Sequence, residues 1–321
     1  MHARLDGRAI AVMTLLCLLW GVQQVAIKLA LVDGFPPALQ AGLRSLISSL
    51  LLIGWVGARE GMPGLLRLFR LDATWLPGLA LAALFGGEFL LYYAGLTRTS
   101  ASRAVLFLYT APFFVALGVH FFVPAERLGW RQVIGLLSAF LGVALAFADG
   151  ISGNGAGGTL NGDLLVLVAA SMWAAVTVMV KAVKRLSGVS PAKILLYQLA
   201  GSVPILLGVA LFEGEAGAIG RAGGVAYASL AYQSVVVAFA TYLAWFWLIG
   251  HYPAGRLAAF SFLTPLFGMV AGIAILHEPA SLVLALALVA VAFGLYLVNG
   301  PAPRKVRAEH GRDADRHAAA D

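Results

Sequence analysis

The chain has 321 residues, 61% of them hydrophobic and 12% charged, with a formal net charge of +7 at pH 7 and a mean hydropathy of +0.89. So few charges cannot cover the surface of a water-soluble domain, and basic residues scattered over short loops and a tail, with no aromatic platform, exclude a nucleic-acid binder. The one cysteine, Cys17, excludes an intrachain disulfide framework and paired metal thiolates.

The first apolar run, Ala9–Val32, follows a short polar start. It is too long for the core of a signal peptide and has no small-x-small cleavage pattern, so it reads as a retained first helix. Helices are then predicted at Pro37–Val56, Thr74–Leu96, Ala101–Val123 and Trp130–Ala148. The stretch Asp149–Gly162 is rich in Gly, Asn, Ser and Thr, carries no Lys or Arg, and reads as a linker. Five more helices are predicted at Asp163–Val183, Pro191–Phe212, Val225–Ile249, Ala254–Leu276 and Ser281–Asn299. Each run is near the ~20 residues needed to cross a ~30 Å hydrocarbon core. Residues 300–321 are polar and of mixed charge; they cannot bury enough apolar area to order themselves and read as a disordered tail.

The chain is one half written twice. Trp20 and Trp173, Lys28 and Lys181, Arg103 and Arg256, and Pro112 and Pro265 are each 153 residues apart; Glu126 and Glu278, and Gly142 and Gly294, are 152 apart. Residues 9–148 and 163–299 form the two repeats, with five spans in each. An odd number of spans inverts the second half, so the predicted fold is an all-α integral membrane protein of ten transmembrane helices in two inverted five-helix repeats. With the N-terminus inside, the inner segments hold sixteen Lys and Arg, the outer loops three (Arg98, Arg103, Arg221), and the spans three (Lys28, Arg44, Lys181). That asymmetry places both termini in the cytoplasm and the chain in the cell membrane.

Several short motifs at this register resemble the EamA family of the drug/metabolite transporter superfamily. They are Trp20-Gly21 with Lys28, Arg44, Tyr93-Ala94-Gly95-Leu96-Thr97, Ala104-Val105-Leu106, Tyr109-Thr110-Ala111-Pro112, and Glu126 with Gly135 and Gly142. The second half repeats them with Trp173, Lys181, Ala258-Ala259, Thr264-Pro265, Glu278 and Gly294. The resemblance covers Ala9 to Asn299. It implies helices 1–4 and 6–9 around a central cavity, helices 5 and 10 at the periphery, and export of amino acids, related metabolites or drugs. The chain departs from the pattern at Ala174, where the second repeat would carry glycine, and at Tyr197, which stands at the register position of Arg44 beside Gln198. A site marked by the arginine is therefore asymmetric.

Glu88 lies in the middle of helix 3, where an ionised carboxylate facing lipid is costly; it should face the bundle interior or hold a proton. Arg44 lies at comparable depth on helix 2, which makes Arg44–Glu88 a candidate ion pair, either one that exchanges partners with a zwitterionic solute or a proton or a static structural pair between neighbouring helices. Trp20, Gln23 and Gln24 put a polar and aromatic face on helix 1, and Tyr92, Tyr109, Trp173, Gln198 and Trp245 are further candidates for a cavity wall that suits an apolar or cationic ligand. Lys28 and Lys181 read either as lysines snorkelling to the interface or as gating and substrate contacts. Pro112 and Pro265 should kink helices 4 and 9 toward the pathway, because backbone freed at mid-membrane needs protein or a wet cavity. Glu126 and Glu278 should offset the N-termini of helices 5 and 10. His120 reads as a hydrogen-bonded core histidine. Gly135, Gly142 and Gly294 allow close helix approach, within the chain or at a homodimer interface.

These features predict a secondary carrier for a small organic solute, working by alternating access in the lipid bilayer. There is no Walker loop, so the driving force is a proton gradient or the solute's own gradient. A lipid or lipid-linked sugar flippase subunit is the alternative. The six dispersed histidines and the lack of an HExxH, paired-acid or nucleophile–base arrangement argue against an enzyme, and no cofactor or metal is implied.

Overall fold

Helix α1 (Gly7–Val32) starts where the Asp6 carboxylate accepts the Ala9 backbone N–H at 2.8 Å, an N-cap that satisfies a donor no helical carbonyl can reach. A computed structural model describes residues 5–96, 98, 107–146, 160–276 and 282–299, leaving out the side chains of residues 24, 28, 96, 146, 269, 271–276, 282–285, 287, 288 and 299. Helices α2 (Pro37–Phe69), α3 (Trp75–Leu96), α4 (Ala111–Phe122), α5 (Trp130–Ala146), α6 (Leu160–Ala182) and α7 (Pro191–Phe212) follow. Then come α8 (Gly224–His251), α9 in two pieces (Ala254–Phe260 and Leu263–Leu276), and α10 (Leu282–Asn299). There is no strand among the described residues. Among the described residues, six helices, α1, α2, α3, α6, α7 and α8, are long and apolar enough to cross a membrane; the shorter Ala111–Phe122, Trp130–Leu145 and Val289–Val298 are apolar as well. The expected linker and tail fall mostly outside the described residues, and Leu160–Gly162, expected as linker, are the first turn of α6.

One expected boundary needs correction. Helix α2 does not end at Val56: it continues past it until Gly61, whose φ of +63° breaks the helix. The left-handed conformation there is cheap only for glycine. The following turns expose Met62, Leu66 and Phe69 while burying Leu68, and Arg67 pairs with Glu60 at 2.9 Å. What reads as an inner loop is thus partly an amphipathic segment fit for the membrane interface. In α8, residues Tyr232–Thr241 form a π-helix. Its wider turn presents Ser234 O to the Ser48 hydroxyl of α2, which donates at 2.9 Å.

Pro112 and Pro265 each follow an interruption of the helical backbone. Each deprives the carbonyl four residues back of its partner. Before Pro265, α9 breaks at Ser261–Phe262, and three-residue backbone bonds bridge the gap (Phe262 N–H to Ala259 O, 3.3 Å; Thr264 N–H to Ser261 O, 3.0 Å). Before Pro112, the chain turns at Tyr109–Thr110, with Thr110 N–H donating to Phe107 O at 3.1 Å.

Packing pairs α2 with α7, sets α3 against α6 and α7, α1 against α8 and α9, and α4 against α6, while α5 and α10 lie on each other. At that last contact a Cβ on Gly135 would come within 2.6 Å of Gly294 O, and a Cβ on Gly294 within 2.5 Å of Gly135 O. These two glycines serve close approach inside the chain.

The loops exchange helix caps. The Asp33 carboxylate, after α1, accepts Ala226 N–H at the start of α8 (2.8 Å), and the Glu215 carboxylate, before α8, accepts Leu39 N–H at the start of α2 (2.7 Å). Burial raises the pKa of Glu215, partly countered by that backbone bond. At the opposite end, Lys193 on α7 holds Asp72 at 2.7 Å, and the Thr74 hydroxyl meets the Tyr197 hydroxyl at 2.7 Å. Lys193 and Thr74 hold the Asp72 carboxyl well below the usual carboxylate range.

Candidate functional site

A cavity with about 860 Å³ of empty space, its mouth included, opens at the centre of the bundle. Its walls come from α1 (Trp20, Gln23, Ile27), α3 (Phe85, Glu88, Phe89, Tyr92), the turn before α4 (Leu108, Tyr109), α6 (Trp173, Val176), α7 (Gln198) and α8 (Tyr242, Trp245, Phe246). Nine of these fifteen residues are aromatic. The rings lock one another edge to face: Trp20 with Trp245 at 5.7 Å, Trp20 with Tyr242 at 6.2 Å, and Phe85 with Tyr242 at 6.1 Å. Trp173 stacks on Trp245 at 6.3 Å. Trp20 Nε1 donates to the Thr241 hydroxyl at 2.8 Å, which fixes its indole plane. Such pairs make the walls stiff and leave ring faces available to a ligand.

Glu88 is the one acidic residue in the wall, and its Oε2 is buried without a hydrogen-bond partner. The Arg44 side chain is fully buried, and none of its three guanidinium nitrogens has a hydrogen-bond partner. The expected Arg44–Glu88 ion pair is not made. Instead the guanidinium lies 4.1 Å from the centroid of the Phe89 ring. Successive residues on a helix point about 100° apart; Glu88 and Phe89 both border the cavity, and Arg44 lies against the Phe89 ring rather than the carboxylate. The Tyr93 hydroxyl is also buried without a partner.

The EamA-like transporter family matches the chain twice, over residues 7–148 and 160–300. The chain belongs to the EamA-like transporter family. It is 33% identical over 297 residues to "Uncharacterized transporter YvbV" of Bacillus subtilis, covering 91% of this chain and 92% of that one. It is 31% identical over 290 residues to a "Probable amino-acid metabolite efflux pump" of Salmonella typhimurium, covering 88% and 92%, and 29% identical over 290 residues to a protein of that name in Escherichia coli. A solved crystal structure shares the fold, with a TM-score of 0.73 at 18% identity over 91% of this chain and 96% of the other. The protein is therefore an integral membrane transporter and not an enzyme.

In this EamA-like transporter the cavity gathers Glu88, Trp20, Gln23, Tyr92, Tyr109, Trp173 and Gln198 from the predicted set. Arg44 stands behind Phe89. Pro112 is buried just past Tyr109, so the α4 turn faces the cavity. Pro265 does not border it: the α9 break packs against α1, where the Cys17 thiol reaches Phe260 O at 3.2 Å and a Cβ on Gly21 would meet Thr264 O at 2.8 Å. The side chains of Gln24 and Lys28, and the whole of Arg103 and Glu278, lie outside the description.

Lys181 neither snorkels nor lines the cavity. It is buried, pairs with Glu126 at 3.1 Å, and donates to Tyr252 O at 2.7 Å. Glu126 does not cap α5; its Oε2 accepts Ala254 N–H at 2.6 Å, at the start of α9. His120 accepts Leu128 N–H at Nδ1 (3.1 Å), the structural role expected of it.

Tyr242, Phe246, Phe85 and Phe89 are wall residues absent from the predicted set, and Trp245 joins the wall while Trp247 is half exposed. The signal for part of this was in the repeat. Adding 153 to Phe89 and Tyr92 gives Tyr242 and Trp245, just as Trp20 gives Trp173. The same step carries Glu88 to Thr241, so the carboxylate has no counterpart in the second half.

Proposed function

We propose that this protein exports small organic solutes, amino acids and their metabolites among them, by alternating access through the central cavity. The observation that carries this reading is an aromatic chamber whose one wall carboxylate, Glu88, has its Oε2 buried without a hydrogen-bond partner, with the Arg44 guanidinium behind Phe89 also making no hydrogen bond. Buried charges left unpaired cost several kcal/mol each, a penalty that a solute or a proton can relieve on binding. Glu88 is the group that takes the proton or the cationic end of the solute. The names of the Salmonella and Escherichia relatives support amino-acid metabolites as cargo.

The scaffold is ten transmembrane helices in two inverted repeats, residues 9–148 and 163–299, with an outer linker between them and a cytoplasmic tail. Helix pairing supports it. Moving α1 to α6 and α9 to α4 turns the α1–α9 contact into α6–α4, and the α3–α6 contact likewise becomes α8–α1. The α2–α7 and α5–α10 pairs map onto themselves. The distribution of Lys and Arg supports cytoplasmic termini.

The test is efflux from proteoliposomes loaded with labelled amino acids and metabolites, with and without an imposed pH gradient. Protein-dependent efflux of at least one of them, reduced by Glu88→Gln, is expected. Efflux no faster than from empty liposomes across the panel ends this reading.

A further inference from the structure

We infer that Glu126 and Lys181 form a latch that holds the cavity shut toward the end of the bundle where the chain begins. Four contacts build it. Glu126 sits in a 3-10 turn, Pro124–Glu126, between α4 and α5. Its carboxylate pairs with Lys181 at the last turn of α6 (3.1 Å), and the two side chains are 3% and 7% exposed, so water screens them weakly. The same carboxylate accepts Ala254 N–H at 2.6 Å. Lys181 donates to Tyr252 O at 2.7 Å, and the Tyr252 hydroxyl donates to Asp6 at 2.9 Å.

This network ties the first half of the chain to the second, because Asp6 and Glu126 belong to one and Lys181, Tyr252 and Ala254 to the other. It also lies directly beyond the cavity floor. Lys181 is five residues past the wall residue Val176 on α6, about 7.5 Å along the helix axis. Tyr252 is six residues past the wall residue Phe246, beyond the end of α8. A solute leaving the cavity toward this end must pass between the elements the network joins.

The chemistry suits a reversible closure. In a dry site the attraction between the two charges is strong, but burying them costs nearly as much, so the pair adds little net stability. When the mouth opens, water hydrates both ends and repays that cost. Closed and open states therefore lie close in free energy, which a transport cycle requires. Placing Glu126 on a backbone N–H as well as on Lys181 gives the closed state one geometry.

The inference rests on the reading of the cavity as the translocation site, and its test separates the two. A cysteine at Val176 in a Cys17→Ala background is labelled with a membrane-impermeant maleimide from either face of oriented vesicles, and efflux is measured in parallel. In Glu126→Gln and Lys181→Met, labelling from the face that carries the N-terminus should rise about tenfold, the effect of a shift of one decade in the closed–open equilibrium. Labelling from the opposite face should not rise. Tyr252→Phe, which removes the hydroxyl that donates to Asp6 and leaves both charges in place, should give a smaller rise in the same direction and serves if the charge variants do not fold. Unchanged labelling in the folded variants, or an equal rise from both faces, overturns the latch. Loss of efflux with unchanged labelling also overturns it and leaves the transport reading standing. Raised one-sided labelling with no efflux in the parent upholds the latch and removes the translocation reading.

Discussion

The Arg44 guanidinium lies 4.1 Å from the centre of the Phe89 ring and hydrogen-bonds to nothing, although it is wholly buried. A cation over a desolvated ring recovers about 2 kcal/mol or more, less than the full cost of its dehydration. The position is thus poor for stability, and Arg44→Met should raise the melting temperature in detergent, since apolar replacement of buried charge is often stabilising by ~1–4 kcal/mol. Transport in the same variant should fall at least tenfold, or about 1.4 kcal/mol. Paired melting and flux measurements check this. A lower melting temperature with unaltered flux would mean that the arginine serves the scaffold only.

Glu88→Gln preserves the shape of the side chain and removes the charge and the titration. We expect a folded protein with transport abolished or strongly slowed, and with the residual flux indifferent to an imposed pH gradient. Flux at the parent level from a folded Glu88→Gln protein in liposomes would remove Glu88 from the cycle.

Some of this molecule is readable from its residues and some is not, and the division is physical. The bounds of α7 were legible at both ends because Ser190 caps it, Pro191 sits in its first turn and the apolar run stops at Phe212. The extension of α2 to Gly61 was not, because a polar stretch gives no hydrophobic period to follow. For the cavity, axial depth grouped Arg44 with Glu88, and the guanidinium lies against the next residue, Phe89. Depth says nothing of azimuth, and azimuth decided that the guanidinium meets Phe89. Lys181 and Glu126 failed for a related reason: they are far apart in sequence and in different halves, and only tertiary packing brings them together.

Asp72 offers a pH test outside the membrane spans. Lys193 and Thr74 hold its folded-state pKa below the ordinary carboxylate value of about 3.9. A depressed carboxylate contributes stability that is present above the unfolded-state pKa and is lost as pH falls toward the folded-state value. Asp72→Asn should therefore lower the melting temperature at pH 6–8, and the gap to the parent should narrow progressively below about pH 4. A gap that stays constant down to pH 3 would mean that the Lys193 contact contributes nothing through charge.

The contact between Gly135 and Gly294 separates two uses of small residues in a membrane helix. Each backbone carbonyl occupies the place where the other residue's Cβ would go, at 2.6 and 2.5 Å, and the Ser138 hydroxyl donates across the same seam to Ala290 O at 3.1 Å. Neither obstacle is a flexible side chain, so an added methyl must push the helices apart. Overpacking of this kind costs about 1–3 kcal/mol. Gly294→Ala should thus lower the melting temperature while the mass of the particle in detergent stays the same, because the seam it damages is internal. Light scattering on the size-exclusion peak reads the second quantity. A variant that melts like the parent but halves in mass would place these glycines at a homodimer contact. Helix α5 would then have to part from α10 when two chains meet, which the mutual fit of the two glycines argues against.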